Sequence, residues 1–319
     1  MVADLGVMHV PKYRNPSIAI LMGTYNAERF IEQQLDSIEN QTVTDWFLWV
    51  SDDGSSDATL AILDKYKKKW KPGQLNVLKG PQKGFAHNFM SLVCNIEIVA
   101  DYFSFSDQDD IWEEDKLERA LNALSLFPFN QPSLYCSRTR LVDENNVEIG
   151  FSSPNQKLAG FANALVQSLG GGNTMLFSNA SRKLLLKAGN VDVVSHDWWL
   201  YIAVSACGGT IVYDTYPSLR YRQHQCNLVG SNSGCRQKLI RLRLLLRGEF
   251  RNWIDHNLNA LKLLNKDITF ASKQRLEMFS NARQASLFRR LLGLKKSGVY
   301  RQSFLGNIGL IFAAIFGRL

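Results

Sequence analysis

Tyr102-Phe103-Ser104-Phe105-Ser106-Asp107-Gln108-Asp109-Asp110 alternates large apolar with small residues, as a buried strand does, and then sets three carboxylates within four positions. Like charges that close repel, and a cation or a long solvated loop is needed to relieve them. A hard divalent ion held by one or two carboxylates fills its remaining coordination sites with water and substrate phosphates. An Asp-x-Asp at the carboxyl end of a strand therefore points to an enzyme that handles a nucleotide diphosphate. A lone Asp-x-Asp is more often a solvated acidic turn, so the surrounding sequence has to decide.

Upstream, Ile18–Met22, Phe47–Val50 and Leu75–Leu78 are short apolar runs bounded by turn residues, which predicts three more strands. Helical spacing lies between them. Phe30, Ile31, Gln34, Leu35 and Ile38 share one face, with Asn26 as the expected cap. Leu60, Leu63 and Tyr66 follow Ser56 or Asp57, and Phe89, Leu92 and Val93 follow Gly84. This alternation predicts an α/β fold, Rossmann-like, with a mostly parallel central sheet and helices on both faces. Ligands of such sheets bind outside the carboxyl ends of the strands. Thr24, Asp52, Asp53 and Asp107 to Asp109 all fall there, so the polar residues of three strands converge on one crevice. Asp110 is expected to cap a helix beginning near Trp112.

Beyond Pro132 the pattern becomes mixed. Gly170-Gly171-Gly172-Asn173 leads into a strand at Thr174–Phe177, His196-Asp197-Trp198-Trp199 opens a helix reaching Ala206, and Thr210–Tyr213 is a further strand. From about Cys235 the pattern is helical and basic.

A chain of 319 residues, 45% of them hydrophobic, suffices for one large α/β domain and an appendage. The net charge of +8 is uneven: acidic residues gather before about position 150, and Arg and Lys dominate Arg236 to Arg301. That asymmetry suits a polyanionic partner, nucleic acid or an anionic membrane. The five cysteines form no Cys-x-x-Cys and no zinc spacing, as expected of reduced thiols in a cytosolic protein. Asp4, Pro11 and Lys12 interrupt any signal-peptide pattern, and no apolar run is long enough to span a bilayer. Neither Gly-x-Gly-x-x-Gly after the first strand nor a P-loop is present, which argues against dinucleotide-binding and P-loop NTPase sites.

The first strand runs instead into Gly23-Thr24-Tyr25-Asn26-Ala27-Glu28-Arg29-Phe30. Together with Gln33-x-Leu35-x-Ser37-Ile38-x-x-Gln41-Thr42 and Val50-Ser51-Asp52-Asp53-Gly54-Ser55-x-Asp57-x-Thr59, this segment resembles the donor half of a family 2 glycosyltransferase with the GT-A fold. Phe105–Trp112, His196–Trp199 and Tyr221-Arg222-Gln223-His224 resemble a subgroup rich in bacterial rhamnosyltransferases. The resemblance covers roughly residues 17 to 230, with several independent motifs in order. It implies a GT-A domain over 1–235, with a nucleotide-sugar half at about 17–130 and an acceptor half at about 131–235. A helical, basic, membrane-associating region would occupy 236–319.

The same resemblance implies roles. Thr24, Tyr25, Asn26 and Glu28 would line the nucleotide-sugar pocket with Gln108 and Asp107, Asp52 would accept from a pyrimidine N–H, and Asp53 would sit near the ribose. Lys83 and Arg222 would approach phosphate. Asp109 would bind Mn2+ or Mg2+ directly. Asp107 would contact ribose or a metal-bound water, and His224 would complete the metal sphere or touch the diphosphate. Asp197 is the expected general base; without the resemblance it would read as a helix cap. The family usually shows Glu-Asp there and this chain has His196-Asp197, which leaves the role of His196 open. Gly171, Gly172, Asn173, Trp198 and Trp199 are the expected acceptor-binding residues, with one of the two indoles expected in the core.

The implied reaction is an inverting, metal-dependent transfer of a sugar from a nucleotide diphosphate donor. Rhamnose from dTDP-rhamnose, or another hexose, would pass to a saccharide hydroxyl of a lipid-diphosphate-linked precursor of a bacterial surface polysaccharide, O-antigen or capsule. The rival is a non-catalytic membrane- or nucleic-acid-binding protein on the same fold. The acidic set argues against it, and no nucleic-acid module is present, so no nucleic-acid partner is expected. In the tail, Arg236, Lys238, Arg241, Arg243, Arg247 and Arg251 interleave with leucines, and Ile308–Phe316 is strongly apolar. These features predict a cytoplasmic protein held peripherally on the inner face of the plasma membrane, without spanning it.

Overall fold

The computed structural model describes residues 16–224 and 248–319. β1 (Ile18–Thr24), β2 (Trp46–Asp52), β3 (Leu75–Lys79) and β4 (Tyr102–Ser106) run parallel in the order β3-β2-β1-β4. They are joined by α1 (Ile31–Glu39), α2 (Thr59–Lys69) and α3 (Phe85–Val93). The strands read as apolar runs because helices cover both faces. Ala19, Leu21, Phe103 and Phe105 enter one core, while Ile18, Ile20, Met22 and Tyr102 enter the other, as the two-residue period of a strand requires.

The sheet continues past β4. β8 (Leu176–Ser178) pairs antiparallel to β4, β6 (Ser133–Val142) antiparallel to β8, and β9 (Thr210–Arg222) parallel to β6. β5 (Ile111–Trp112) closes this edge antiparallel to β9, and β7 (Glu148–Phe151) pairs with β6. α4 (Lys116–Leu124), α5 (Phe161–Ala164) and α6 (Asn179–Ala188) cover these strands with α7 (His196–Ala206). α7 is apolar around nearly its whole circumference and is buried at every residue except Asp197. α8 (Glu249–Leu261), α9 (Phe270–Gln284), α10 (Leu287–Ser297) and α11 (Phe304–Ile315) complete the described chain. Phe250, Ile254, Phe279, Leu294 and Leu310 from these helices join the core that contains α7.

Four local expectations are corrected. Asn26 does not cap α1; it adopts the left-handed conformation (φ 48°), and its side chain serves the loop after β2. Asp110 caps no helix, because Ile111–Trp112 is β5 and α4 begins at Lys116. Gly172–Thr174 is a short 3-10 turn, so β8 starts only at Leu176. β9, expected over Thr210–Tyr213, runs on to Arg222. The N-terminal readings and the basic stretch Arg236 to Arg247 lie outside the described residues.

Candidate active site

The loops at the carboxyl ends of β1, β2 and β4 bind one another through side chains that the resemblance assigns to the pocket. The Tyr25 N–H donates to Gln108 Oε1 at 2.7 Å, and Gln108 Nε2 donates to the Tyr25 carbonyl at 3.1 Å. This clasp leaves the Tyr25 ring 59% exposed. Asn26 Oδ1 accepts from the Ser56 N–H at 2.8 Å and Glu28 Oε2 from the Ala58 N–H at 2.9 Å, so both residues fasten the β2–α2 loop.

Asp52 is buried, and its carboxylate accepts four hydrogen bonds: from Thr24 Oγ1, Ser55 Oγ and the N–H groups of Gly54 and Ser55. Four is about the capacity of a carboxylate, so the expected bond to a pyrimidine would require one of these to open. Asp53 holds the next loop, accepting from the N–H groups of Gln82 at 2.6 Å and Gly84 at 3.3 Å. Lys83 is thereby exposed on a turn that Asp53 pins.

The acidic centre joins three elements. Burial, then the neighbouring Asp109 and Asp197 carboxylates, push Asp107 up to about 8, so the end of β4 and the first turn of α7 share one negative field. Asp197 Oδ1 accepts from the Trp198 N–H at 2.7 Å, and its other oxygen has no partner among the described residues. Just past β9, His224 Nε2 meets Asp109 Oδ2 at 2.7 Å. Arg222, expected at phosphate, is buried instead. Its Nε donates to the Asp109 carbonyl at 3.0 Å, its two terminal nitrogens donate to the Glu144 carbonyl and Gln33 Oε1, and it lies 4.5 Å from the centroid of Phe30. These bonds tie the backbone of Asp109 to the end of β9.

No cluster of three or more His, Cys, Asp or Glu able to hold a metal occurs among the described residues. Asp109 and His224 nevertheless make a pair suited to a divalent ion that takes its other ligands from a donor's phosphates. The negative charge crowded beside them fits a cation.

A layer beneath the centre has no counterpart in the sequence reading. Asp110 is buried and accepts from Asn173 Nδ2 at 2.6 Å. Burial pushes the Lys116 ammonium down to about 7 against the pull of Asp110, and it lies 3.6 Å from the Trp112 ring centroid. Asn173, expected at the acceptor, thus links the glycine loop to the acidic segment.

Trp198 and Trp199 are corrected as acceptor platforms. The Trp198 indole is buried and donates to the Ala164 carbonyl at 2.7 Å, and Trp199 is wholly buried. His196 is buried too, stacked 3.9 Å from Phe89 and edge-on to Phe105 at 4.5 Å. Neither ring nitrogen has a hydrogen-bond partner among the described residues, and burial pushes its pKa down to about 4. A neutral, enclosed imidazole of that kind is a weak base at physiological pH. Gly172 lies against it: a Cβ there would fall 2.4 Å from Nε2. Gly171 is exposed beside it.

The sequence profile described as Glycosyl transferase family 2 matches residues 19–185. The chain is 32% identical over 255 residues to the dTDP-rhamnosyl transferase RfbG of Shigella flexneri, covering 75% of this chain and 84% of that one. It is 29% identical over 188 residues to the UDP-Glc:alpha-D-GlcNAc-diphosphoundecaprenol beta-1,3-glucosyltransferase WfgD of Escherichia coli, covering 59% and 69%. Solved structures share the fold. S. aureus TarS 1-349 in complex with UDP-GlcNAc superposes with a TM-score of 0.55 at 13% identity, over 95% of this chain and 89% of that one. The mannosyltransferase PcManGT from Pyrobaculum calidifontis, in complex with GDP-Man and Mn2+, does so at 0.50 and 17%, over 95% and 87%.

Proposed function

This chain belongs to glycosyl transferase family 2, and from that premise we propose that it moves rhamnose from dTDP-rhamnose onto a saccharide hydroxyl with inversion at the anomeric carbon. The choice of donor is supported by the similarity to RfbG, a dTDP-rhamnosyl transferase. The choice of acceptor, a lipid-diphosphate-linked saccharide of a bacterial surface polysaccharide, is supported by WfgD, whose name includes such an acceptor. One observation carries the chemistry: the sole unburied residue of α7 is a carboxylate, and it shares a field with Asp107 and Asp109.

In this reading the donor occupies the half at about 17–130, and the acceptor the half at about 131–235. The exposed Tyr25 ring offers an aromatic face to the base, with its loop fixed by Gln108. Lys83, on its pinned turn, supplies a cation toward the diphosphate. Asp109 and His224 would hold Mn2+ or Mg2+. Such an ion, when bound, offsets the charge that develops on the departing nucleotide diphosphate. Asp197 accepts the proton of the acceptor hydroxyl while that oxygen bonds to the anomeric carbon and the bond to the diphosphate breaks. Inversion requires the base to stand opposite the leaving group, and the uncommitted Asp197 oxygen is available for that task.

The test is nucleotide diphosphate release from dTDP-rhamnose, UDP-glucose and UDP-GlcNAc, with saccharide acceptors, with and without Mn2+ or Mg2+. Release of dTDP from dTDP-rhamnose, dependent on both acceptor and metal, is expected. Turnover with a UDP-sugar alone would overturn the donor assignment, and turnover surviving thorough chelation would overturn the metal.

A further inference from the structure

The last two helices divide their apolar residues between two surfaces. Leu294, Leu310, Ala313 and Ala314 are buried in the core, which fixes α10 and α11 to the fold. Phe288, Leu292, Phe304, Leu305, Phe312 and Phe316 are all exposed, Phe288 by 74% and Phe304 by 79%. Their spacing is orderly: Phe288 and Leu292 are one turn apart on α10, and Phe304, Ile311 and Ile315 form a stripe along α11. Monomeric proteins rarely leave so many large apolar groups together in water.

The charge around this face selects its occupant. No Asp or Glu occurs in the sequence after Glu277, whereas Arg289, Lys295, Lys296 and Arg318 are exposed on the same two helices or just beyond them. Lys295 and Lys296 continue the stripe of Phe288 and Leu292. Arg290 instead ties the helices together, donating to the Ala314 carbonyl at 2.9 Å. An apolar face bordered by cations matches an anionic lipid surface, where side chains enter the acyl boundary and ammonium groups meet headgroups. α11 has 12 residues, and no helix among the described residues is long and apolar enough to cross a bilayer.

The face does not end at the helices. Leu158 is 89% exposed, and its carbonyl accepts from the Tyr300 hydroxyl. The Lys157 N–H donates to Gln302 Oε1 at 2.9 Å, and its ammonium lies 5.2 Å from the centroid of Tyr300. In the same loop, Asn155 Nδ2 donates to the carbonyl of Leu169 at 2.9 Å, immediately before Gly170 to Asn173.

We propose that α10, α11 and the Lys157–Leu158 loop form one docking face for an anionic bilayer, which lies on the glycine-loop side of the candidate active site. The binding itself is independent of which sugar is moved.

The full chain is tested by co-sedimentation with phosphatidylcholine vesicles, with and without phosphatidylglycerol, at low and high salt. Binding to the phosphatidylglycerol vesicles is expected, weakening at least about tenfold without the anionic lipid or at high salt. Phe288→Ser combined with Phe312→Ser should weaken binding by a similar factor and leave thermal unfolding unchanged, since both rings are exposed. Leu158→Ser, read separately, should weaken it several-fold. Equal binding to both vesicle types, or wild-type binding by the double variant, would overturn the proposal. So would a dimer that the double variant dissolves, seen by light scattering in a chain that ignores vesicles. Nucleotide diphosphate release in solution, measured in parallel, keeps these failures distinct from failure of the transferase reading.

Discussion

The Asp109 carboxylate and the His224 imidazole meet at 2.7 Å although 115 residues separate them in the chain. β9 makes the meeting possible. It pairs with β5 directly after the acidic segment, and at its end Arg222 grips the backbone of Asp109 before His224 reaches the side chain. The backbone and the side chain of Asp109 are therefore both held from the end of one strand.

Replacing Arg222 with methionine should disturb Asp109 without touching substrate. Losing an outer partner of a metal ligand typically costs about 10–100-fold in metal affinity or activity. The expected signature is a raised Mn2+ requirement, measured by titrating nucleotide diphosphate release. Arg222→Lys should not restore it, because a single ammonium cannot span the Asp109 and Glu144 carbonyls and Gln33 together.

Asp197→Asn should leave donor affinity nearly intact and slow transfer by roughly 10²–10⁴-fold, the usual range for loss of a general base. Calorimetry of donor binding beside single-turnover transfer separates the two effects. Near-wild-type transfer would place the base elsewhere, and His196, enclosed and neutral, would be a poor substitute.

His196 should make the fold acid-sensitive. Its pKa is about 4 in the folded chain against an ordinary 6.5, so below 6.5 the unfolded chain binds the extra proton. Stability should fall as pH drops from about 6.5 toward 4, by about 3 kcal/mol in all, and no further from this group below that. Comparing urea unfolding of the wild type and His196→Asn across that window tests it. The variant should lose this component of the slope even though its baseline stability is lower.

Gly172→Ala tests space rather than backbone freedom. The new methyl group would sit 2.4 Å from His196 Nε2, and the imidazole is wedged against Phe89 and Phe105. Overpacking of that kind costs about 1–3 kcal/mol. A thermal melt matching the wild type would show that the ring has room to retreat.

The donor side was legible because its signals are local. β1 lies under helices on both faces and so reads as an unbroken apolar run, β4 alternates large apolar with small residues, and Thr24, Asp52 and Asp107 mark where β1, β2 and β4 stop. β6 escaped notice because its polar residues are paired far away in sequence. The Ser133 N–H donates to the hydroxyls of Ser178 and Ser181, and Ser137 meets the Ser218 hydroxyl. The lower layer of Asp110, Asn173 and Lys116 left no local signal, since a capping aspartate and a buried one look alike in sequence. Of Trp198 and Trp199 one was expected in the core and both lie there, because an indole that stacks on sugar and one that fills a core carry the same letter.

β5 belongs by sequence to the donor half, yet it is stitched onto the far edge of the sheet beside β9, beyond every acceptor-half strand on that path. The sheet therefore has no seam along which the two halves could part as rigid bodies, and any opening during turnover falls to loops. The same stitch governs how such chains can recombine. A chimaera with its crossover between β5 and β9 would join an acidic segment to a foreign partner strand, and with it a foreign Arg222 and His224. Only an exchange that carries both strands together would keep Asp109 with its own Arg222 and His224.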